Sequence, residues 1–177
     1  MTFLELAARR RSVRAYEDRP VPRDAIERCL EAARLAPSAC HSQPWTFLVA
    51  ADPEVRRRLA EAAFSGLHAM NRFAASAPVL VAVVTERSRY AARLGGHLRG
   101  VHYALIDIGI ACEHFVLQAA EEGLGTCWLG WFDERGVKRA LGLPRAARVD
   151  VMLSVGWPAE PPREKARKTL DEIRRYV

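Results

Sequence analysis

One long apolar segment constrains the fold of this sequence more than any other feature. It runs from Val101 to Glu122 and is followed by Gly123, a residue that commonly ends helices. Apolar residues recur in it at helical spacing, at Leu105, Ile108, Cys112, Phe115 and Ala119. Further apolar residues widen that face, so the helix needs cover on most of its sides. A chain of 177 residues supplies such cover with difficulty, which predicts a homodimer.

Shorter predicted elements surround this helix without a strict alternation of strand and helix. The predicted strands are Trp45–Ala50, Val79–Thr85, Gly125–Trp131 and Val149–Trp157. Helices are predicted to begin near Thr2, Asp24, Pro53, Leu67 and Asp133, with the fourth covering Leu67 to Ser76. No repeat or long linker divides the chain. The pattern predicts one domain over residues 1–177, an α+β fold with a mixed central β-sheet flanked by helices.

Composition and spacing exclude several functional classes. The longest unbroken apolar run, residues 77–84, is far shorter than the roughly 20 residues that cross a bilayer, and no secretory signal is recognisable. We therefore expect a cytoplasmic protein without a membrane partner. The four cysteines form no C-x-x-C pair and the histidines show no ligand spacing, so no metal site is predicted and a catalytic cysteine is not favoured.

Two basic clusters lie near the two ends of the chain, whose net charge is +6. Residues 9–14 place four arginines beside Ser12, and residues 165–168 carry three cations after two prolines. Guanidinium groups match phosphate oxygens, although each cluster alone is also typical of a solvated basic surface. Together they favour a small phosphate-bearing ligand. Specific nucleic-acid binding is not predicted, because the cations are not arranged along one recognition helix.

Two further segments suit a flat ligand. Residues 37–45 form a loop of small residues stiffened by two prolines, in which His41 and Gln43 offer hydrogen bonds. His41 is interpreted as a ligand contact or cap in preference to a general acid or base. Residues 123–131 combine glycines with a strand, but their spacing is not that of a dinucleotide fingerprint. Arg72 is either a surface arginine or a cation facing a ring.

At these residues the chain resembles the FMN-dependent nitroreductase family, over residues 3–176. In that family the first basic motif holds the FMN phosphate and ribityl region, and the loop motif reaches across the dimer to the partner's flavin. His41 stands where the family usually has asparagine. The resemblance implies FMN contacts from Arg10, Arg11, Ser12, Arg14, Pro37, Ser38, Ala39, His41, Gln43, Arg72, Trp128, Leu129, Gly130, Lys165 and Arg167.

The resemblance also implies an activity. It predicts an intertwined homodimer with two shared FMN sites, and ping-pong reduction of nitroaromatic- or quinone-like acceptors with NAD(P)H as electron donor. No catalytic side chain is assigned, because the flavin carries the chemistry. The alternatives are other flavin chemistry such as a dehalogenase or dehydrogenase, flavin storage without efficient turnover, and a basic nucleic-acid-binding dimer. Residues 87–100 are expected to influence the choice of acceptor.

Overall fold

A four-stranded sheet forms the centre of the protein. The computed structural model describes residues 1–86, 96–98, 100–161 and 165–177. The strands are β1 (Trp45–Ala50), β2 (Val79–Thr85), β3 (Gly125–Leu129) and β4 (Arg148–Gly156), in the order β1-β2-β4-β3. All three strand pairs are antiparallel. The α+β prediction is therefore confirmed. The named strands do not form a mixed sheet, and the parallel pairing among the described residues is a single bridge between Ser12 and Thr126.

The helices match the sequence predictions except at residues 66–76 and near the C-terminus. They are α1 (Phe3–Arg9), α2 (Arg23–Arg34), α3 (Pro53–Ala63), α4 (Tyr103–Glu121), α5 (Glu134–Ala140) and α6 (Leu170–Ile173). The helix predicted over Leu67–Ser76 is instead a run of 3-10 turns over Gly66–Ser76, interrupted at Asn71. A second short 3-10 turn covers Ala39–His41. The short α6, which begins after Thr169 with a capping box, was not predicted.

Helices cover both faces of the sheet because the central strands are apolar on both sides. On one face Val79 and Val81 of β2 pack with Phe115 of α4 and with α2. On the other face Leu80 and Ala82 pack with α3, the 3-10 run and α5. Strands β2 and β4 are buried along nearly their whole length, as expected for strands covered on both faces. This arrangement leaves the outer edge of β3 available to the N-terminal segment.

Helix α4 is the central helix of the protein, and this chain covers it only in part. Eight of its residues are buried. Leu105 and Ile106 remain 44% and 52% exposed. Helix α4 is long and apolar enough to cross a membrane, but the core helices of globular proteins often are as well. Its buried side packs on the sheet and on α2, which identifies it as a core helix with one uncovered apolar strip.

The basic stretch that precedes α4 falls mostly outside the described residues. Of the predicted acceptor loop, residues 96–98 and 100 are described. The expected influence of that loop on acceptor choice therefore stays a prediction.

Candidate functional site

The N-terminal basic motif is fixed along the outer edge of β3. The Val13 amide donates to the Thr126 carbonyl oxygen at 2.8 Å, next to the parallel bridge between Ser12 and Thr126. Val13 packs so closely on Gly125 that a Cβ atom built at Gly125 would lie 2.6 Å from Val13 Cγ2. Glycine is therefore required there by the N-terminal segment itself. The glycines of this segment were expected to let a flat ring approach the strand. At Gly125 the side chain of Val13 occupies that space instead.

Tyr16 holds the far end of the same segment. Its buried hydroxyl donates to the Val13 carbonyl oxygen at 2.8 Å and lies 2.7 Å from Ser154 Oγ in β4. Burial raises the pKa of Tyr16, and the hydrogen bond to Ser154 only partly offsets that effect. The hydroxyl thus stays protonated and available as a donor. The path of residues 12–16 is set by the sheet rather than by a ligand.

The C-terminal basic motif meets the N-terminal one at the end of α1. Lys165 Nζ donates to the carbonyl oxygens of Ala7 and Ala8, in the last turn of α1, at 2.9 and 3.3 Å, and the Arg11 guanidinium also donates to the Ala8 carbonyl oxygen. Between the two motifs lies a cavity of about 480 Å³. We call it the basic cavity; its lining includes Arg10, Arg11, Ser12, Arg14, Glu160, Lys165 and Arg167. The predicted convergence of the two chain ends on one site is present in the structure.

The basic cavity carries more positive than negative charge. Burial lowers the pKa of Lys165, and the nearby Arg10, Arg11 and Arg167 lower it further. Glu160 is the acidic side chain in the lining, and Glu113 approaches Arg10 at 3.6 Å. The charged form of Lys165 is therefore disfavoured until an anion enters. Five cationic side chains and the Ser12 hydroxyl suit a phosphate dianion such as that of FMN.

Cys127 in β3 faces the same cluster, and the sequence analysis did not single it out. Burial raises the pKa of the Cys127 thiol. The charges of Arg14 and Arg10 lower it, as does a hydrogen bond with Ser12. The thiol therefore remains protonated and less nucleophilic than an exposed cysteine. It contributes to the wall behind Ser12.

The loop motif has a closely defined backbone. Cys40, His41 and Gln43 have φ angles of 52°, 53° and 46°, in the left-handed region that glycine favours. Hydrogen bonds close the loop: the Gln43 amide donates to Ser38 Oγ at 2.9 Å, and Ser42 Oγ donates to the Ala39 carbonyl oxygen at 2.6 Å. His41 and Gln43 are exposed. None of the predicted loop contacts lines the basic cavity, and their role at a partner's flavin stays a prediction.

The end of β3 supplies an open position and an aromatic surface. The side chain of Leu129 is buried, so Leu129 could meet a ligand only through its backbone, and the side chain of Trp128 is half-buried against the core. A Cβ atom built at Gly130 would have no neighbour within 4 Å. Trp131 follows, 54% exposed, with its indole Nε1 donating to the Leu67 carbonyl oxygen at 3.1 Å.

Two further contacts hold Trp131, one to its backbone and one to its ring. Asn71 Nδ2 donates to the Trp131 carbonyl oxygen at 2.8 Å, and the His68 ring centroid lies 5.2 Å from that of Trp131. These contacts fix an aromatic ring at the protein surface. The sequence analysis included Trp131 in the glycine-rich segment but did not assign it a role, because its partners lie in the 3-10 run.

Arg72 does not join the other predicted cations. It lines a separate cavity of about 390 Å³ beside α3, which we call the α3 cavity, together with Arg56, Arg57, Glu61 and Phe64. The Arg14 guanidinium lies 5.9 Å from the ring centre of Phe73, the next residue along the chain. The structure thus brings Arg10, Arg11, Ser12, Arg14, Lys165 and Arg167 together and places Arg72 elsewhere.

Comparison with known proteins decides which family has this fold and arrangement. A profile of the Nitroreductase family matches residues 7–72 and 68–157, which is most of the chain. The chain belongs to the nitroreductase family. The resemblance inferred from the basic, loop and strand motifs is confirmed.

Individual relatives of this nitroreductase-family protein cover nearly the whole chain. A protein of Archaeoglobus fulgidus named "Putative NADH dehydrogenase/NAD(P)H nitroreductase" is 34% identical over 89% of this chain and 86% of the relative. "Iodotyrosine deiodinase 1" of Rattus norvegicus is 28% identical over 97% of this chain and 68% of the relative. An "FMN-dependent Nitroreductase" structure from Clostridium difficile has a TM-score of 0.72 at 25% identity, covering 96% and 94% of the two chains. The protein is an oxidoreductase.

Proposed function

We propose that this nitroreductase-family protein binds FMN and uses NAD(P)H to reduce nitroaromatic- or quinone-like compounds by a ping-pong mechanism. The observation that carries the proposal is the basic cavity, where both ends of the chain place cations around a space of about 480 Å³. Nitroreductase-family proteins generally use FMN, whose phosphate is the group this cavity suits. When bound, FMN supplies two-electron chemistry, accepting hydride from the nicotinamide and passing reducing equivalents to the acceptor.

The role of the protein's own residues is to bind and orient the flavin. Arg10, Arg11, Arg14, Lys165 and Arg167 neutralise the phosphate, and Ser12 adds a hydroxyl contact. The backbone of residues 128–130 would contact the flavin ring, and Gly130 has open space in front of it. No side chain is assigned a proton-transfer or nucleophilic role. The chain therefore acts chiefly through placement and charge.

Trp131 supports a planar acceptor. Its ring stands at the end of the strand proposed to run beside the isoalloxazine, is half exposed, and is held by Leu67, His68 and Asn71. A fixed aromatic face stacks on flat compounds at little cost in side-chain entropy. We expect Trp131→Ala to raise KM for a planar quinone and to leave KM for ferricyanide unchanged. Equal changes with both acceptors would contradict this role.

We also propose a cytoplasmic homodimer. The uncovered strip of α4 contains Leu105 and Ile106, and the loop with His41 and Gln43 is exposed away from the basic cavity of its own chain. A partner that covers α4 would bury the strip and could receive that loop at its own flavin. Light scattering should give twice the chain mass, and Ile106→Arg should shift the protein towards the monomer. A wild-type monomer that retains full activity would contradict the proposal.

An absorbance spectrum of the purified protein, repeated anaerobically after adding NADH or NADPH, tests the proposed chemistry. The expected result is flavin absorbance that bleaches with one of the two donors and returns after addition of a quinone. Flavin absorbance that persists with both donors would favour flavin storage instead. No binding of added FMN would refute the proposal.

Reductive dehalogenation is a second candidate, favoured by the similarity to the protein named Iodotyrosine deiodinase 1 over 97% of this chain. The two candidates differ in product, because dehalogenation releases halide. With the prereduced protein, iodide release from iodotyrosine at a rate comparable to quinone reduction would favour dehalogenation. Quinone reduction without iodide release is the outcome that the first proposal predicts.

A further inference from the structure

A buried carboxylate lies in the apolar centre of α4, and the proposed chemistry does not use it. Asp107 is 3% exposed. Its Oδ1 accepts a hydrogen bond from the Ala39 amide at 3.0 Å. Its Oδ2 is buried and has no hydrogen-bond partner among the described residues. Burying a carboxyl group lowers stability, and an oxygen without a hydrogen-bond partner lowers it further. The presence of Asp107 in the core therefore needs a physical reason.

The bond to Ala39 reaches the first residue of an unfavourable turn. Cys40, His41 and Gln43 all carry a Cβ atom and all have positive φ angles. Residues in such conformations persist only where the surroundings hold them, and they concentrate at ligand sites. A turn of this kind requires an anchor outside itself.

Two kinds of hydrogen bond hold this turn. The bonds from Gln43 to Ser38, from Ser42 to Ala39 and from the His41 amide to the Ser38 carbonyl oxygen all close the loop on itself. The Asp107 bond instead comes from α4, whose neighbouring residues Ile108 and Ala111 are packed in the core. The hydrogen bond from Ala39 to Asp107 therefore fixes the turn to the packed core.

We propose that Asp107 is a positioning residue, which fixes the Ala39–Gln43 turn through the Ala39 amide and thereby sets the affinity of the loop for flavin. The inference rests on the proposed function, because the turn carries Ala39, His41 and Gln43 as flavin contacts. The loop meets the flavin through backbone and side-chain groups whose directions depend on the left-handed residues. Loss of the anchor releases the turn without altering the basic cavity.

Three variants test this role. Asp107→Leu removes the acceptor while keeping the number and branching of side-chain heavy atoms, and Asp107→Asn retains an acceptor oxygen for Ala39. Asp52→Leu is the matched control, since Asp52 also accepts backbone amide bonds, from Glu54 and Val55, at the start of α3. Hydrogen exchange of the Ala39–Gln43 amides in the flavin-free protein reports on the turn. The FMN dissociation constant and the visible circular dichroism of bound flavin report on the site.

The expected pattern separates positioning from general stability. In Asp107→Leu the turn amides should exchange roughly tenfold faster or more, FMN should bind about tenfold more weakly, and the dichroism of bound flavin should change. Asp107→Asn should restore most of each property. Asp52→Leu should lower the melting temperature without moving any of the three readouts.

Two results would overturn the inference, and they differ from failure of the proposed function. If Asp107→Leu folds and its turn amides exchange at the wild-type rate, Asp107 is not the anchor. If the turn is released but FMN affinity and dichroism are unchanged, the anchor does not act on the flavin. If the wild type binds no FMN, the proposed function fails, and the flavin part of the inference fails with it whatever the exchange data show.

Discussion

The basic cavity and the α3 cavity are both lined by arginines, and the partners of those arginines distinguish a proposed ligand site from a structural one. In the α3 cavity, Arg56 Nη1 donates to the carbonyl oxygens of Ala75 and Ala77 at 2.6 and 3.2 Å. Arg57 pairs with Glu54 and Glu61 at 2.8 and 2.7 Å. These guanidinium groups have internal partners, so the α3 cavity has little need of an anion.

In the basic cavity the cations outnumber the nearby carboxylates, although Arg10 approaches Glu113 and Lys165 donates to two carbonyl oxygens. Five cations share the lining with Glu160, and burial and neighbouring arginines lower the pKa of Lys165. In the α3 cavity the hydrogen bond to Glu54 is the largest of the effects that raise the pKa of Arg57. Arg57 is thus stabilised by carboxylates of its own protein, whereas Lys165 would gain an opposite charge from an incoming anion. Arginine number alone would not have separated the two cavities.

Charge reversal in the basic cavity should have the largest effect. Arg14→Glu or Arg167→Glu replaces an attraction to phosphate by a repulsion, and we expect FMN affinity to fall by at least about 100-fold. Arg57→Glu is the matched reversal in the α3 cavity and should leave affinity unchanged. Fluorescence titration of flavin-free protein measures all three. Equal losses in the two cavities would contradict the comparison.

Removing Arg56 should affect stability instead of binding. Arg56→Ala leaves two carbonyl oxygens, those of Ala75 and Ala77, without their charged donor, which should lower the free energy of unfolding by about 2 kcal/mol. Urea denaturation of the flavin-free protein checks this, with Arg58→Ala on the same helix as an exposed control. A reduced FMN affinity in Arg56→Ala at unchanged stability would assign Arg56 to the ligand site.

The pH dependence of FMN binding should follow Lys165. Its pKa lies below the ordinary lysine value in the free protein, because of burial and the neighbouring arginines. A bound phosphate adds an opposite charge and raises that pKa, so affinity is highest below the free-protein pKa and falls as pH rises through it. We expect a fall of about tenfold towards pH 10. Lys165→Arg, which stays charged, should bind equally across that window; a parallel fall in this variant would exclude Lys165 as the cause.

The smallest effect is expected at Arg72. In the described chain it lines the α3 cavity, although the resemblance predicted a flavin contact there. Arg72→Ala should change FMN affinity by less than about threefold, compared with about tenfold or more for Arg14→Ala. A tenfold loss at Arg72 would show that the assembled protein brings this side chain to the flavin after all.

The sequence predicted the parts of this fold that rest on local patterns. Asp52 and Asp133 cap α3 and α5 as expected, and the strand from Trp45 to Ala50 has the predicted bounds. The 3-10 run at Gly66–Ser76 was mistaken for a helix, because the interruption at Asn71 leaves no glycine or proline in the sequence to mark it. The antiparallel sheet was not predicted, because local patterns do not fix strand pairing.

The site was predictable to a similar extent. The basic motifs were recognisable as composition, and their convergence followed from the resemblance. Asp107 was missed because it lies inside an apolar helix and its partner Ala39 is 68 residues away along the chain. The positive φ angles of Cys40, His41 and Gln43 were also unreadable, because non-glycine residues take them only under tertiary constraint.

The most direct test of the account compares FMN with riboflavin, which lacks the phosphate, in titrations of flavin-free wild-type protein. If the basic cavity holds the phosphate, FMN should bind at least about 100-fold more tightly than riboflavin, and Arg14→Glu should abolish most of that preference. Equal affinities for the two flavins would contradict the assignment of the basic cavity, even if the protein proved to be yellow and active.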